Sequence, residues 1–337
     1  MIQGIYTLAN DVVFDQLVAL LNSIESNAGK DYPVCVIAYN DQLDRVREEI
    51  QTRSNVILLE DSELFQFWED FSYDVWKTHP TALEYWKSQG VQTRFYRVGD
   101  NHRYCAFEEA APFDEFIYLD ADTLVMGPLE PFFENLGDND FVVYDFQFKD
   151  PYHIFDLDSE RLGQLFGEAR LGKEIFCSGC YASKKGVFSK ENLEMLVSEL
   201  GKGDAEVLYL GAPNQSVLNY MAMKSRSKIH NIALHWPEGK RTGNSVTSSH
   251  FAAKDNILYD KGARLTFLHY IGVSSKFFNR LCNGENIDFP YRDIFLYYRY
   301  LQNPGEVPTF KEPSIPYKPK PPNLGKRILK KLGLLAK

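Results

Sequence analysis

An α/β fold, with a Rossmann-like, mostly parallel sheet flanked by helices, is the architecture this sequence predicts. Three observations carry the prediction. Apolar, strand-like runs alternate with helical stretches from residue 4 onward, the signature of parallel strands joined by crossover helices. One of those runs, residues 116–119, leads straight into Asp120-Ala121-Asp122, and in open α/β sheets ligands bind beyond the carboxyl ends of strands. With 337 residues, 44% of them hydrophobic and 25% charged, the chain also has material for one large core or two modest ones.

Residues 4–9 make the first strand, and residues 12–26 follow with apolar side chains at helical spacing. Residues 34–38 make the second strand, the charged residues 42–51 the second helix, and residues 56–59 the third strand. An aromatic-rich helical region separates these from the strand at 116–119, and residues 141–144 supply another. The pattern then loosens. A loop-rich stretch runs to Ile175, residues 180–183 are strand-like, and helices are expected at 190–200 and 214–223. Residues 263–270 read as a strand containing His269, and residues 290–301 as an aromatic helix. No internal repeat is found.

The composition changes after Asn303. Pro304, Pro308, Pro313, Pro316, Pro319, Pro321 and Pro322 define an extended, semi-rigid linker. The chain is therefore divided into a globular domain at 1–303, a proline-rich linker at 304–322 and a basic amphipathic tail at 323–337. In the tail, Leu324, Ile328, Leu329, Leu332 and Leu335 recur near helical spacing while Lys326, Arg327, Lys330 and Lys331 form a positive face. That combination suits an anionic membrane surface, a solvated tail being the other reading. The last twenty residues hold seven Lys or Arg and no acid, so the net charge of -9 becomes -16 for the remainder. So acidic a body argues against nucleic-acid binding. Neither an apolar run of about 18 residues nor a signal-like N-terminus is found, which predicts a soluble, cytoplasmic body, peripheral to a membrane if the tail docks there. The five cysteines are read as reduced thiols. Cys177 and Cys180 lack a second pair to complete a zinc site, and Ser178 and Gly179 between them suit a turn.

Asp120 and Asp122, one residue apart at a strand end, are close enough to bind one cation, and carboxylate oxygens suit Mn²⁺ or Mg²⁺. Asp-x-Asp also occurs as turn or helix-capping aspartates. The surrounding segment, Tyr118-Leu119-Asp120-Ala121-Asp122-Thr123-Leu124-Val125, resembles the metal-binding signature of the glycogenin-like glycosyltransferases, which include the bacterial lipopolysaccharide galactosyltransferases. The resemblance runs over about residues 5–276. It implies the GT-A fold, a nucleotide-sugar donor that is most often a UDP-hexose, Mn²⁺, and transfer with retention of anomeric configuration.

Thr7, Leu8, Ala9, Asn10 and Asp11 are similar to that family's opening turn, which receives nucleobase and ribose; Asn10 or Asp11 equally suits the cap of the next helix. Arg103 falls where the family places a basic residue beside the donor, with a surface arginine as the other reading. Ala121 is counted with the donor contacts. Phe176-Cys177-Ser178-Gly179 resembles a Phe-Asn-Ser-Gly segment in which small residues let the backbone approach the sugar, with Cys177 in place of Asn. Asn214-Gln215-Ser216-Val217-Leu218-Asn219 resembles Asp-Gln-x-x-Leu-Asn, which faces the reacting carbon. Asn214 and Gln215 are accordingly the catalytic candidates, Asn214 replacing an Asp. His269, Gly272 and Lys276 resemble His-x-x-Gly-x-x-Lys-Pro-Trp, which implies a third metal ligand in His269 and diphosphate contacts at Gly272 and Lys276. One extra residue precedes Lys276, and Phe277-Phe278 stands for Pro-Trp. Asp145, at the end of the next strand, is either a donor-sugar contact or a solvated strand end.

The function implied is a metal-dependent hexosyltransferase acting on a glycan or lipid-linked acceptor, with acceptor recognition in the irregular C-terminal half. A leaving nucleoside diphosphate accumulates negative charge, which a cation with Lys276 or Arg103 would stabilise. A dinucleotide-binding dehydrogenase needs a glycine-rich turn after its first strand, and residues 7–12 contain no glycine. A nucleotidyltransferase normally has a glycine-rich basic loop there. Glycosidase carboxylates stand about 5 Å or more apart across a substrate. A non-catalytic nucleotide-sugar-binding protein is the remaining alternative, because Cys177, Asn214 and the Lys276 segment depart from the family's pattern.

Overall fold

The computed structural model of the protein describes residues 1–318; the expected amphipathic tail at 323–337 and the end of the linker lie outside the described residues. Strands are β1 (Gln3–Ala9), β2 (Val34–Ala38), β3 (Val56–Leu59), β4 (Glu115–Leu119), β5 (Thr123–Val125), β6 (Phe141–Val143), β7 (Cys180–Lys184) and β8 (Ile229–Asn231). All but β5 join one sheet in the order β3-β2-β1-β4-β7-β6-β8. Every neighbouring pair is parallel except the two made by β7, which runs against β4 and β6.

Because strand side chains alternate between faces, the apolar runs of the central strands supply two cores at once. Tyr6, Leu8, Cys35, Ile37, Phe116 and Tyr118 point into one. Ile5, Ala9, Val34, Val36, Ile117 and Leu119 point into the other. This explains why those strands read as continuous apolar runs: both faces are covered. Helices α1 (Phe14–Asn27) and α2 (Asp44–Gln51) cover the second face. On the first lie α3 (Ser62–Thr78), α4 (Ala82–Ser88) and a 3₁₀ helix at Val98–Phe107. Next come α5 (Glu130–Glu134), α6 (Glu160–Glu174), α7 (Lys190–Gly201), α8 (Pro213–Lys224), α9 (Ile232–His235), α10 (Ser275–Cys282) and α11 (Arg292–Arg299).

Two expectations from the sequence are corrected. The stretch before Ile175, expected to be loop, contains α6; Gly163, Gly167 and Gly172 dilute its helical pattern, and Gly167, at φ +69°, splits it in two. The strand expected at 263–270 is broken. After a small antiparallel sheet of β9 (Ala252–Lys254), β10 (Ile257–Asp260) and β11 (Ala263–Arg264), the chain starts again as β12 (Phe267–His269) and pairs antiparallel with β5. This two-stranded ribbon, with α10 and α11, encloses a third core that includes Leu124, Leu268, Phe278 and Phe295.

Beyond Asn303 the chain makes a 3₁₀ turn at Pro304–Glu306 and then lies along the body. A short parallel pair forms between β13 (Ile287–Asp288) and β14 (Ile315–Pro316). Asn286 Nδ2 donates to Glu312 O at 2.7 Å, and the Tyr317 ring packs edge-on against Phe277 and Phe289. No described helix is long and apolar enough to cross a membrane.

Candidate active site

The site is assembled where β4 ends. Its chain leaves the sheet at Leu119 and makes a tight turn, closed by Thr123 N donating to Asp120 O at 3.0 Å, so both aspartates emerge beside β5. Antiparallel pairing with β12 places His269 opposite Thr123, and Tyr270 N donates to Asp122 O at 2.9 Å. The His269 Nε2 is thereby 3.2 Å from Asp122 Oδ1 and 3.9 Å from Asp120 Oδ2. One ligand atom from each of Asp120, Asp122 and His269 lies within 4.8 Å of the others. Burial opposes a charge on the imidazole, but Asp122 outweighs it and raises the His269 pKa well above its ordinary value. Two carboxylates balanced by one proton on a buried histidine are a donor set that fits a divalent cation, which would take the proton's place.

Gly179 shows how tightly this floor is packed. A Cβ there would fall 2.4 Å from His269 Cε1 and 2.8 Å from Asp120 Oδ2. Its carbonyl accepts from Asp120 N at 2.8 Å, tying the loop before β7 to the end of β4. Behind the aspartates, Arg103 is buried rather than a surface residue. Its Nη2 is 3.2 Å from Asp120 Oδ1, which also accepts from Tyr118 OH at 3.0 Å. Its Nε donates to Asp100 O, its Nη1 to Ser178 O, and the guanidinium lies 4.7 Å from the Tyr118 ring centroid. Burial disfavours that charge, yet Tyr118, Asp120 and Asp100 together hold the guanidinium protonated.

These groups line an open cleft of about 1090 Å³. Of the residues singled out from the sequence, Leu8, Ala9, Asn10, Ala121, Ser178, Asn214, Gln215 and Gly272 also line it. Asn10 serves as a cap as well: its Oδ1 accepts from Val12 N at 3.1 Å and its Nδ2 donates to Asn40. Gln215 is held at both ends of its amide, accepting from Ser178 N at 3.2 Å and donating to His153 O at 2.8 Å. Asn214 accepts Tyr104 OH on its main-chain carbonyl at 2.9 Å.

Four candidates are not on the lining. Thr7 is wholly buried in β1. Asp11 turns its carboxylate to Val46 N at 3.1 Å, near the start of α2. Lys276 lays its ammonium 5.1 Å from the Phe277 ring centroid. Asp145 is buried beneath the floor, accepting from Gln147 N and, at 3.2 Å, from Cys177 N. Burial pushes its carboxyl up to about 6 against the pull of those two N–H groups. All five cysteines are free thiols.

The cleft also contains residues the sequence did not single out. Tyr39 and Asn40 follow β2, and the rule that ligands gather at carboxyl ends of strands was signal enough to find them. Arg97, in a left-handed backbone conformation, joins Arg103 on the same side. Tyr209 and Gly211 come from a loop and His153 from a three-residue 3₁₀ helix, neither with a readable pattern.

A parallel sheet interrupted by one reversed strand, with paired aspartates at the end of the strand beside it and a cleft across that edge, is the GT-A architecture of glycosyltransferases. No protein-family profile and no curated protein matches the sequence. Two solved structures are similar in fold. One is the bifunctional glycosyltransferase WbbM in its apo form, with a TM-score of 0.54 and 14% identity, covering 88% of this chain and 49% of that one. The other is the galactosyltransferase LgtC in complex with donor and acceptor sugar analogues, with a TM-score of 0.51 and 16% identity, covering 80% of this chain and 87% of that one. This chain therefore spans about half the length of the WbbM chain, and the likeness establishes the GT-A fold expected from the sequence.

Proposed function

We propose that the protein is a metal-dependent glycosyltransferase that moves a hexose from a nucleoside-diphosphate donor, most simply a UDP-sugar, to a glycan or lipid-linked acceptor with retention of configuration. The observation that carries it is the Asp120–Asp122–His269 cluster on the floor of a cleft large enough for a nucleotide sugar. Mn²⁺, or Mg²⁺, held there would neutralise the diphosphate as it leaves. The chain's own residues do the rest. Arg103 fixes the rotamer of Asp120 and adds positive charge behind it. Gly179 gives the sugar and the ligands room at one point. Gln215, immobilised between Ser178 and His153, offers a fixed polar edge to the sugar. Asn214 has no carboxylate and is confined to hydrogen bonding. Asp145 acts through the Cys177 N–H, holding the 177–179 backbone in place. No step is assigned to Lys276, whose ammonium rests on Phe277. The tail at 323–337 is proposed to hold a cytoplasmic enzyme against an anionic membrane.

Calorimetry of nucleoside diphosphates and nucleotide sugars, with and without Mn²⁺, tests the reading. One sugar nucleotide should bind in a metal-dependent way, lose that binding in Asp122→Asn and His269→Ala, and be slowly hydrolysed by the unaltered protein. Absence of binding to every donor removes the assignment. Tight binding with neither hydrolysis nor transfer favours a nucleotide-sugar-binding protein of the same fold, the reading that Asn214 in place of an acid supports.

A further inference from the structure

The two walls of the cleft differ in charge. The side formed by the ends of β1 and β2 carries the charged groups, with Arg97 and Arg103 beside Tyr39 and Asn10; Arg97 pairs with Asp100 at 2.8 Å and Arg103 lies 3.2 Å from Asp120. The opposite wall, around Tyr209 to Gln215, has no lysine or arginine among its lining residues and carries neutral polar groups and aromatic rings. A diphosphate belongs on the first wall. Neutral hydrogen-bonding groups next to exposed rings are what a sugar requires: hydroxyls for the former, the C–H face of a pyranose for the latter.

The rings on that second wall form a cluster. Tyr209 and His153 line the cleft, and Tyr152, with 55% of its surface exposed, is the ring neighbour of both and is not itself on the lining. Ring centroids are 5.7 Å apart for Tyr152 and Tyr209, 4.9 Å for Tyr152 and His153, and 6.1 Å for His153 and Tyr209. The two segments that carry them are fastened together. Phe155 bridges to Leu208, Asp156 N donates to Val207 O at 2.9 Å, and Tyr209 N donates to Ser216 Oγ at 2.9 Å. Gly211 lets the Tyr209 ring lie against the backbone, since a Cβ there would meet the ring at 2.8 Å. His153 O also accepts the Gln215 amide, so the ring cluster is rigidly coupled to the reacting side of the floor. Exposed aromatic rings fixed in this way are a preorganised stacking surface, and their exposure has no packing role.

We infer that Tyr152, His153 and Tyr209, whose rings are inclined at 52° to 73° to one another, form an angular aromatic platform in which the pyranose ring of the acceptor stacks on one ring and abuts the others, so that the acceptor is a neutral hexoside presented by its apolar face. The inference rests on the transferase reading and adds the residues and chemistry of its second substrate.

Saturation-transfer NMR on the full chain with Mg²⁺ and UDP, using the methyl α- and β-glycosides of glucose and galactose as probes, tests it. At least one glycoside should receive saturation concentrated on the C–H protons of one ring face. Tyr209→Ala and Tyr152→Ala should weaken that glycoside roughly five- to tenfold, as loss of one aromatic contact predicts, while Tyr152→Phe retains it. UDP affinity by calorimetry should be unchanged in all three, which also certifies that they fold. No saturation of any glycoside while UDP binds, or saturation indifferent to both alanine variants, overturns the platform and leaves the donor site standing. A parallel loss of UDP affinity in the alanine variants overturns it too, by placing the nucleotide on these rings. Failure of the unaltered protein to bind UDP while a glycoside still stacks counts against the donor assignment and not against the platform.

Discussion

At the scale of single residues, the site depends on contacts with no slack. Gly179→Ala puts a methyl group onto His269 Cε1 and Asp120 Oδ2, so two of the three residues of the proposed ligand set must shift. Mn²⁺ affinity should fall about 10- to 100-fold, the usual loss when the support of a ligand set is disturbed, and the metal-free protein should lose about 1–3 kcal/mol because the buried His269 ring has to give way. A metal titration beside a thermal melt separates the two. Asp145 gives a pH signature. Its carboxyl titrates near 6 in the fold against an ordinary 3.8; the fold therefore favours the protonated acid. That contribution is complete below the unfolded value and is lost as pH rises through 6. In urea unfolding of the metal-free protein, the stability of the natural chain relative to Asp145→Asn should drop by on the order of 3 kcal/mol between about pH 3.5 and 7. A difference that stays flat with pH would refute the buried acid. Asp120, Asp122 and His269 were legible in the sequence because their spacing and flanking residues repeat a known signature. The burial of Arg103 was not, since a charged side chain in a 3₁₀ helix leaves no periodic trace, and Thr7 and Asp11 were misleading because a motif fixes backbone position and not where a side chain turns.

Elements carry the next level of constraint. Asp204, fully buried at the start of a short 3₁₀ helix, accepts from Arg161 of α6 at 2.7 Å, from Lys224 of α8 at 2.7 Å and from Tyr220 of α8 at 3.0 Å. Lys224 also reaches Glu199 of α7 at 2.9 Å. One carboxylate thus pins the helices that position Gln215 and its neighbours. Asp204→Ala leaves two cations and a hydroxyl without their buried partner and should cost about 3 kcal/mol or more in urea unfolding; a loss below about 1 kcal/mol would show the network to be solvated. The boundaries of β1 to β4 and of β6 were readable to within a residue or two, because strands covered on both faces must be apolar throughout, whereas the three-residue β5 was not read as a strand. The second half hid α6 behind its glycines and split β11 from β12. Short strands that pair far along the chain have too few residues to show a period.

For the molecule as a whole, the question is where the folded body ends. The prolines mark a change of composition after Asn303, but composition cannot show that such a segment docks. A chain ending at Lys318 keeps every described contact of this segment. One ending at Asn303 loses the β13–β14 pair and the half-buried rings of Phe310 and Tyr317, a loss of about 1–2 kcal/mol and a few degrees in Tm. Equal melting of the two would make the segment a passenger. The Lys318 truncation should also lose recovery on anionic vesicles if the tail is the membrane contact.

The β5–β12 ribbon sets an order of events during synthesis. Asp120 and Asp122 leave the ribosome early, and β1 to β4 can come together as soon as Leu119 is free. The imidazole of the proposed ligand set lies 147 residues beyond Asp122, on β12, which pairs with β5 and also bridges to Ser245. A nascent chain halted anywhere before β12 carries the two carboxylates without the imidazole, so the proposed ligand set can form only once β12 has been made.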